Sequence, residues 1–225
     1  DGALFPGDGR KEWLMLYNEA VSSPGRVRFT QAHELGHYIL HRHLRESFQC
    51  SDADMLNWSE DDKNIEGQAD LFASYLLMPL DDYRRQVTTT VDLDLLGHCA
   101  DRYGVSLTAA TLKWLQYTDE KAVLVMSNDG FINWAWSSKP AAKVGAFFRT
   151  RNNVIPVPDG ALASDPEVRN DRKGTQIPAS VWFAHAEADM PLREMKIHAE
   201  QYDAVLSLLL LPRSANVWPP WALED

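Results

Sequence analysis

Residues 29–43, FTQAHELGHYILHRH, contain four of the seven histidines of the chain. Residues 33–37, HELGH, match the pattern H-E-x-x-H. On an α-helix, positions i and i+4 lie one above the other, so the imidazoles of His33 and His37 can converge on one metal ion. Glu34 is then placed to act as general base toward a water molecule at that ion. The stretch therefore predicts a helix that carries part of a metal site.

The third ligand has to lie outside this pentapeptide, and one candidate is His43. It stands where metzincins place their third histidine, in H-E-x-x-H-x-x-G-x-x-H. The glycine that would break the helix is replaced here by Leu40. If the helix continues, His41 and His43 lie about 12 and 15 Å along its axis from His33, at about 1.5 Å per residue. We therefore predict both as exposed histidines on the last turn.

Glu66 is the other candidate, at the start of residues 66–79, EGQADLFASYLLMP. A carboxylate ligand completes a site of two histidines and one glutamate with one position open for water. Asp70 follows one helical turn later, where its carboxylate can accept the free N–H of a ligating histidine and fix the tautomer. This pattern predicts Glu66 as the third ligand and Asp70 as the residue that orients a histidine.

Hydropathy patterns predict the elements around these residues. The first part of the chain predicts a buried strand at 12–18, a turn at 22–26, a helix from about Thr30, its N-cap, to about Leu44, and a loop at 48–64. A second helix is predicted over 63–77, and the pair Met78-Pro79 ends it. The prediction rests on five apolar residues at helical spacing: Ala69, Phe72, Ala73, Leu76 and Leu77.

Residues 92–118 predict a helix that ends near Gly104 and a second helix that Ser106 caps. This order is similar to a DNA-binding helix-turn-helix. The second helix offers only Lys113 as a basic residue, and its apolar positions are typical of a protein core. Packing is therefore the favoured interpretation.

From residue 121 the pattern becomes typical of a sheet. Two apolar runs around residues 128–130, Asn-Asp-Gly, predict a hairpin. A long loop is predicted at 151–176, and strand candidates, or a strand with a short helix, follow at 179–190, 193–200 and 203–212. The sequence thus predicts an α+β protein, with a mainly helical domain at 1–119 that contains the segment 92–118, and a β-rich domain at 120–225.

Composition excludes some functions. The 22 Lys and Arg residues against 32 Asp and Glu give a net charge of −10, which argues against direct binding to nucleic acid. No apolar run approaches the roughly 20 residues of a membrane span, and no signal peptide is visible. The two cysteines, Cys50 and Cys99, are typical of free thiols in a cytoplasmic protein.

Three stretches, 26–41, 66–79 and 101–115, resemble the ImmA/IrrE family of zinc metallo-endopeptidases, over about residues 12–118. The resemblance implies one Zn²⁺ held by His33, His37 and Glu66, with Glu34 as the general base. It also implies a zincin-like, mainly helical domain with a small β-sheet and a three-helix segment, followed by a β-rich accessory or sensor-like domain.

The resemblance further implies cleavage of a helix-turn-helix transcriptional repressor, which would relieve repression in a stress or mobile-element response. The alternative is a binding partner of a repressor or antitoxin that does not cleave it. The residue that would stabilise the oxyanion is left open among five candidates: Tyr38, Tyr75, His98, Tyr103 and His185.

Overall fold

The structure is a computed structural model that describes residues 2–21, 23–44, 48–50, 65–87, 90–151, 153–199 and 203–219. Asp1–Thr90 and Gly97–Ala110 form one compact unit, and Val91–Leu96 and Thr111–Asp225 form a second. The predicted domains, 1–119 and 120–225, stay a prediction, because compactness alone does not show that a segment folds independently. Helices and strands occur together, which agrees with the mixed class that the sequence predicts.

The first unit contains a three-stranded antiparallel sheet. Its strands are β1 (Gly2–Pro6), β2 (Trp13–Tyr17) and β3 (Phe48–Cys50), in the order β2-β1-β3. The strand predicted at 12–18 is present, but it is not buried: Leu14 is 57% exposed and Leu16 is 49% exposed. An apolar run does not distinguish an edge strand from a central one. The predicted loop at 48–64 is wrong for β3, and residues 51–64 lie outside the described part.

Helix α1 (Pro24–Gly36) begins six residues earlier than predicted. The Ser23 hydroxyl accepts a hydrogen bond from the backbone N–H of Arg26, at 3.4 Å, and Pro24 occupies the first helical position. Serine and proline in this order start a helix, so the predicted turn and the N-cap role of Thr30 are both wrong. Thr30 instead lies inside the helix and is buried.

The helix continues past α1 as a π-helical segment (His37–His41), and residues 42–44 form a turn. The helix predicted at 63–77 is present as α2 (Ile65–Leu77). This helix packs against α1. Residues 63 and 64 lie outside the described part. Of the predicted apolar face, Ala69 and Ala73 are fully buried, whereas Leu76 is 50% exposed. A short helix, α3 (Leu80–Gln86), follows Pro79.

The two helices predicted within 92–118 are present as α4 (Leu93–Tyr103) and α5 (Leu107–Tyr117). Gly104 separates them with a φ of +61°, a conformation that glycine adopts without strain. As predicted, Ser106 caps α5, because its hydroxyl accepts from the N–H of Ala109 at 3.1 Å. Lys113 is fully buried, so the only base of α5 is not available to a phosphate.

The second unit contains a six-stranded antiparallel sheet in the order β6-β5-β4-β9-β8-β7. In chain order its strands are β4 (Lys121–Asn128), β5 (Phe131–Ser137), β6 (Ile155–Pro156), β7 (Asn170–Pro178), β8 (Pro191–Ala199) and β9 (Ala204–Leu211). A short helix, α6 (Lys139–Lys143), follows β5. Apolar residues from one face of the sheet and from the segments that cover it form the core of this unit.

The predicted hairpin is confirmed: β4 and β5 pair around Asp129 and Gly130, with φ values of +49° and +78°. The predicted loop at 151–176 is wrong in three places, because β6 and a 3-10 helix at Leu162–Ser164 lie inside it and β7 begins at Asn170. The strand predicted at 179–190 is also wrong, since the structure has only a 3-10 helix at Ala179–Val181. Among the described residues, no helix combines the length and apolar character that crossing a membrane requires.

Candidate metal centre

Helix α1, the π-helical segment after it and helix α2 bring together three side chains that could hold a metal ion. The Nε2 atoms of His33 and His37 lie 2.9 Å apart, and Glu66 Oε2 lies 3.3 and 3.2 Å from them. Within the described residues, these three form a group of donor atoms close enough to share one ion. Two ligand atoms at about 2.05 Å from a tetrahedral ion lie about 3.3 Å apart, so the spacing matches a small divalent cation.

Asp70 is placed where the sequence predicts it. Its Oδ1 accepts a hydrogen bond from His33 Nδ1–H at 2.8 Å, and both side chains are almost completely buried. This bond leaves Nε2 of His33 directed at the other two ligand atoms. The proton on Nδ1 fixes the tautomer in which Nε2 has a free lone pair for a metal.

The two histidines have opposite pKa shifts. Burial lowers the pKa of His33, but the hydrogen bonds that its ring donates to the carboxylates of Asp70 and Glu66, together with the negative charges of Asp70 and Glu34, outweigh burial and raise the pKa to about 9. Burial is the main reason why the pKa of His37 is lowered. A metal ion at Nε2 competes with the proton there, so binding of a cation displaces the proton that His33 otherwise holds.

His41 lies beside His37, and the prediction that it is an exposed histidine is wrong. It is 1% exposed, and its Nδ1 lies 3.1 Å from His37 Nδ1. On its other side, His41 Nε2 lies 3.1 Å from Gln68 Oε1. His43 is exposed, as predicted.

The π-helical segment explains the burial of His41. In an α-helix each step of four residues advances about 40° around the axis, so His41 would turn about 80° away from His33. A π turn is wider, with i→i+5 bonds, and advances less per residue. The segment His37–His41 therefore turns His41 back toward the face that carries His33 and His37.

Glu34, the predicted general base, is fully buried in α1. A Cβ atom built on Gly2 of β1 would collide with the Glu34 carboxylate, so the missing side chain makes room for it. The sheet of the first unit thus contributes to the surroundings of Glu34 through one glycine. The role of Glu34 in catalysis stays a prediction, as do the ligand roles of His33, His37 and Glu66.

The approach of the two helices depends on Gly36. A Cβ atom there would lie 3.1 Å from the Cα of Ala69 and 3.1 Å from the Phe72 ring. A glycine in a helix interior costs about 1 kcal/mol relative to alanine, and the close approach of α2 explains why alanine is disfavoured here. Because α1 carries His33 and is followed directly by His37, while α2 carries Glu66, the contact sets the distance between the histidines and the carboxylate.

The five candidates for the oxyanion-stabilising residue have different environments. Tyr103 donates a hydrogen bond to Asp82 Oδ2 at 2.7 Å, and burial is the main reason that its pKa rises to about 12. Tyr75 is nine residues after Glu66, on the opposite side of α2, and is 48% exposed. Tyr38 packs edge-on against Trp13. His98 and His185 are exposed, and His185 belongs to the second unit.

Sequence reasoning missed the contacts of His41 and Gln68. A signal was present: His33, His37 and His41 are separated by four residues each, and Gln68 lies between Glu66 and Asp70. The π-helical segment leaves no trace in the hydrophobic pattern, so the position of His41 could not be deduced from spacing alone.

The family model Peptidase_M78, described as the IrrE N-terminal-like domain, matches residues 1–115. This range includes the metal-ligating group and the whole of α1 and α2. A comparison with curated proteins returned no match.

Proposed function

Because the chain belongs to the Peptidase_M78 family, of the IrrE N-terminal-like domain, we propose that it is a zinc-dependent endopeptidase. The observation that carries the proposal is the group His33, His37 and Glu66, whose donor atoms lie 2.9–3.3 Å apart. Two imidazoles and one carboxylate are the ligand set of several catalytic zinc sites, which keep one position open.

The residues around the ligands support hydrolysis. His33, His37 and Glu66 would hold the zinc ion, which would supply a Lewis acid to activate water and polarise a peptide carbonyl. Glu34, adjacent to His33 in the chain, accepts the proton of the attacking water on its carboxylate and delivers it to the leaving amine. Asp70 keeps His33 in the tautomer that binds metal through its 2.8 Å hydrogen bond.

We propose a helix-turn-helix transcriptional repressor as the protein substrate, and cleavage in the cytoplasm that relieves repression during a stress or mobile-element response. The resemblance to the ImmA/IrrE family supports this substrate class. The net charge of −10 favours a protein over a nucleic acid as the partner.

The experiment compares wild type with Glu34→Gln. Both proteins are loaded with zinc, their metal content is measured, and each is incubated with a proteome-derived peptide library and with the repressor encoded beside the gene. We expect equal zinc content and cleavage by the wild type alone. Equal cleavage by both proteins would refute the role of Glu34. A stable complex in which the repressor remains intact, with no cleavage of the library, would favour the non-cleaving binding partner.

A further inference from the structure

The side chains of His41 and Gln68 form a chain of hydrogen bonds behind a predicted zinc ligand. His37 Nε2 faces the other ligand atoms, at 2.9 Å from His33 Nε2 and 3.2 Å from Glu66 Oε2. Its Nδ1 faces His41 Nδ1 at 3.1 Å, and His41 Nε2 faces Gln68 Oε1 at 3.1 Å. His37 and His41 lie on the π-helical segment that follows α1, and Gln68 lies on α2.

The protons along this chain follow from the chemistry of each atom. If Nε2 of His37 binds a metal, its proton is on Nδ1 and is donated to His41 Nδ1, which must accept. The proton of His41 is then on Nε2, where it is donated to Gln68 Oε1. With its amide oxygen directed at His41, Gln68 accepts this hydrogen bond and so favours this tautomer of His41.

We propose that His41 is a positioning residue that holds His37 in its metal-binding tautomer, and that Gln68 fixes the tautomer of His41. His33 has a carboxylate, Asp70, in the same role. The two ligand histidines are thus supported differently, one by a charged acceptor and one by a neutral imidazole. This inference rests on the proposed metal centre.

The burial of His41 indicates that its ring is held by hydrogen bonds within the protein and not by water. It is 1% exposed at the end of a helix, where His43 two residues later is exposed. Polar groups are rarely buried unless their hydrogen bonds are satisfied, and here both ring nitrogens face a partner. The π-helical segment His37–His41 brings the ring into this position.

The test measures zinc affinity, by competition with a chelator at pH 7, for four full-length proteins. These are wild type, His41→Phe, His41→Asn and, as matched control on the same helix end, His43→Phe. Loss of a residue that orients a metal ligand costs about ten- to hundredfold in affinity, so we expect that loss for His41→Phe. The oxygen of an asparagine can replace Nδ1 as acceptor, so His41→Asn should recover most of it. His43→Phe should bind like wild type.

A second measurement keeps the inference testable if His41→Phe does not fold. In zinc-loaded wild type labelled with ¹⁵N at histidine, long-range ¹H–¹⁵N spectra report which ring nitrogen carries the proton. We expect the proton on Nδ1 of His37 and on Nε2 of His41. A proton on Nδ1 of His41, or equal zinc affinity in wild type and His41→Phe, would overturn the inference.

These outcomes separate the inference from the proposed function. If wild type binds zinc and His41→Phe loses affinity, but no peptide is cleaved, the positioning role holds and the peptidase proposal fails. If wild type cleaves its substrate with a zinc affinity that does not depend on residue 41, the proposed function holds and the positioning role fails. Absence of zinc binding by wild type would overturn both.

Discussion

Replacing Asp70 with asparagine removes the charge from the hydrogen bond that orients His33 and leaves the shape of the side chain nearly unchanged. The bond is 2.8 Å long, and both side chains are almost completely buried. A hydrogen bond to a charged group contributes about 1.5–3 kcal/mol, against about 0.5–1.5 for a neutral pair. Asp70→Asn should therefore weaken zinc binding by about 1–1.5 kcal/mol, or roughly tenfold. Asp70→Ala, which removes the whole bond, should weaken it by up to about a hundredfold.

The assay is a titration of each zinc-loaded protein with a chelator of known affinity, at constant pH and ionic strength. Asp101→Asn serves as the matched control, because Asp101 is exposed on α4 and its side chain is remote in sequence from both ligand-bearing helices. We expect the order wild type, Asp70→Asn, Asp70→Ala from tight to weak, with the control equal to wild type. Wild-type affinity in both Asp70 variants would refute the reasoning, since it would show that the orientation of His33 does not depend on this bond.

Three further predictions concern packing and burial. Gly36→Ala should lower zinc affinity in the same titration, because the new Cβ meets the backbone of Ala69 at 3.1 Å and forces α1 and α2 apart; an unchanged affinity would contradict this. Glu194→Gln should lower the free energy of unfolding by about 1–3 kcal/mol in urea titrations. The Glu194 carboxylate accepts a hydrogen bond from the N–H of Ala163 at 2.8 Å, and in the variant an amide N–H₂ would face such a donor. Burial lowers the pKa of Lys113 from 10.5 to about 8, so the unfolded chain binds this proton more tightly than the folded chain. Between about pH 8 and 10 the free energy of unfolding of wild type should therefore rise relative to that of Lys113→Met. A difference in the free energy of unfolding that stays constant over this range would contradict the prediction.

Several elements of the fold could be predicted because their signals are local. The helix α2 follows from apolar residues at helical spacing, and the pair α4 and α5 follows from a glycine and a serine between two amphipathic stretches. The hairpin of β4 and β5 follows from Asp129 and Gly130, which both adopt positive φ. In each case the residues that decide the structure are close together in the sequence.

The errors have physical causes as well. The start of α1 was missed because Ser23-Pro24 occurs both in turns and at helix N-termini, and only the contacts of the helix decide between them. The strand β7 was missed because it is largely polar and contains Gly174, which adopts positive φ. Such a strand forms through its pairing with β8, a partner about twenty residues away that periodicity does not reveal.

The candidate site was predicted in part. The grouping of His33, His37 and Glu66 follows from a motif and from one amphipathic helix, and the structure places their donor atoms together. The contact of His41 with His37 depends on a π turn instead, which apolar periodicity does not reveal. The prediction from sequence spacing assumed an α-helix throughout, and in an α-helix His41 would point toward solvent.

The ligand set of the metal is the central claim, and X-ray absorption at the zinc edge of the zinc-loaded wild type tests it most directly. We expect one zinc per chain with the multiple scattering of two imidazoles, nitrogen at about 2.0–2.1 Å and a carboxylate oxygen at about 2.0–2.2 Å. A zinc–sulfur distance of about 2.3 Å, or a spectrum without imidazole scattering, would contradict a centre built from His33, His37 and Glu66.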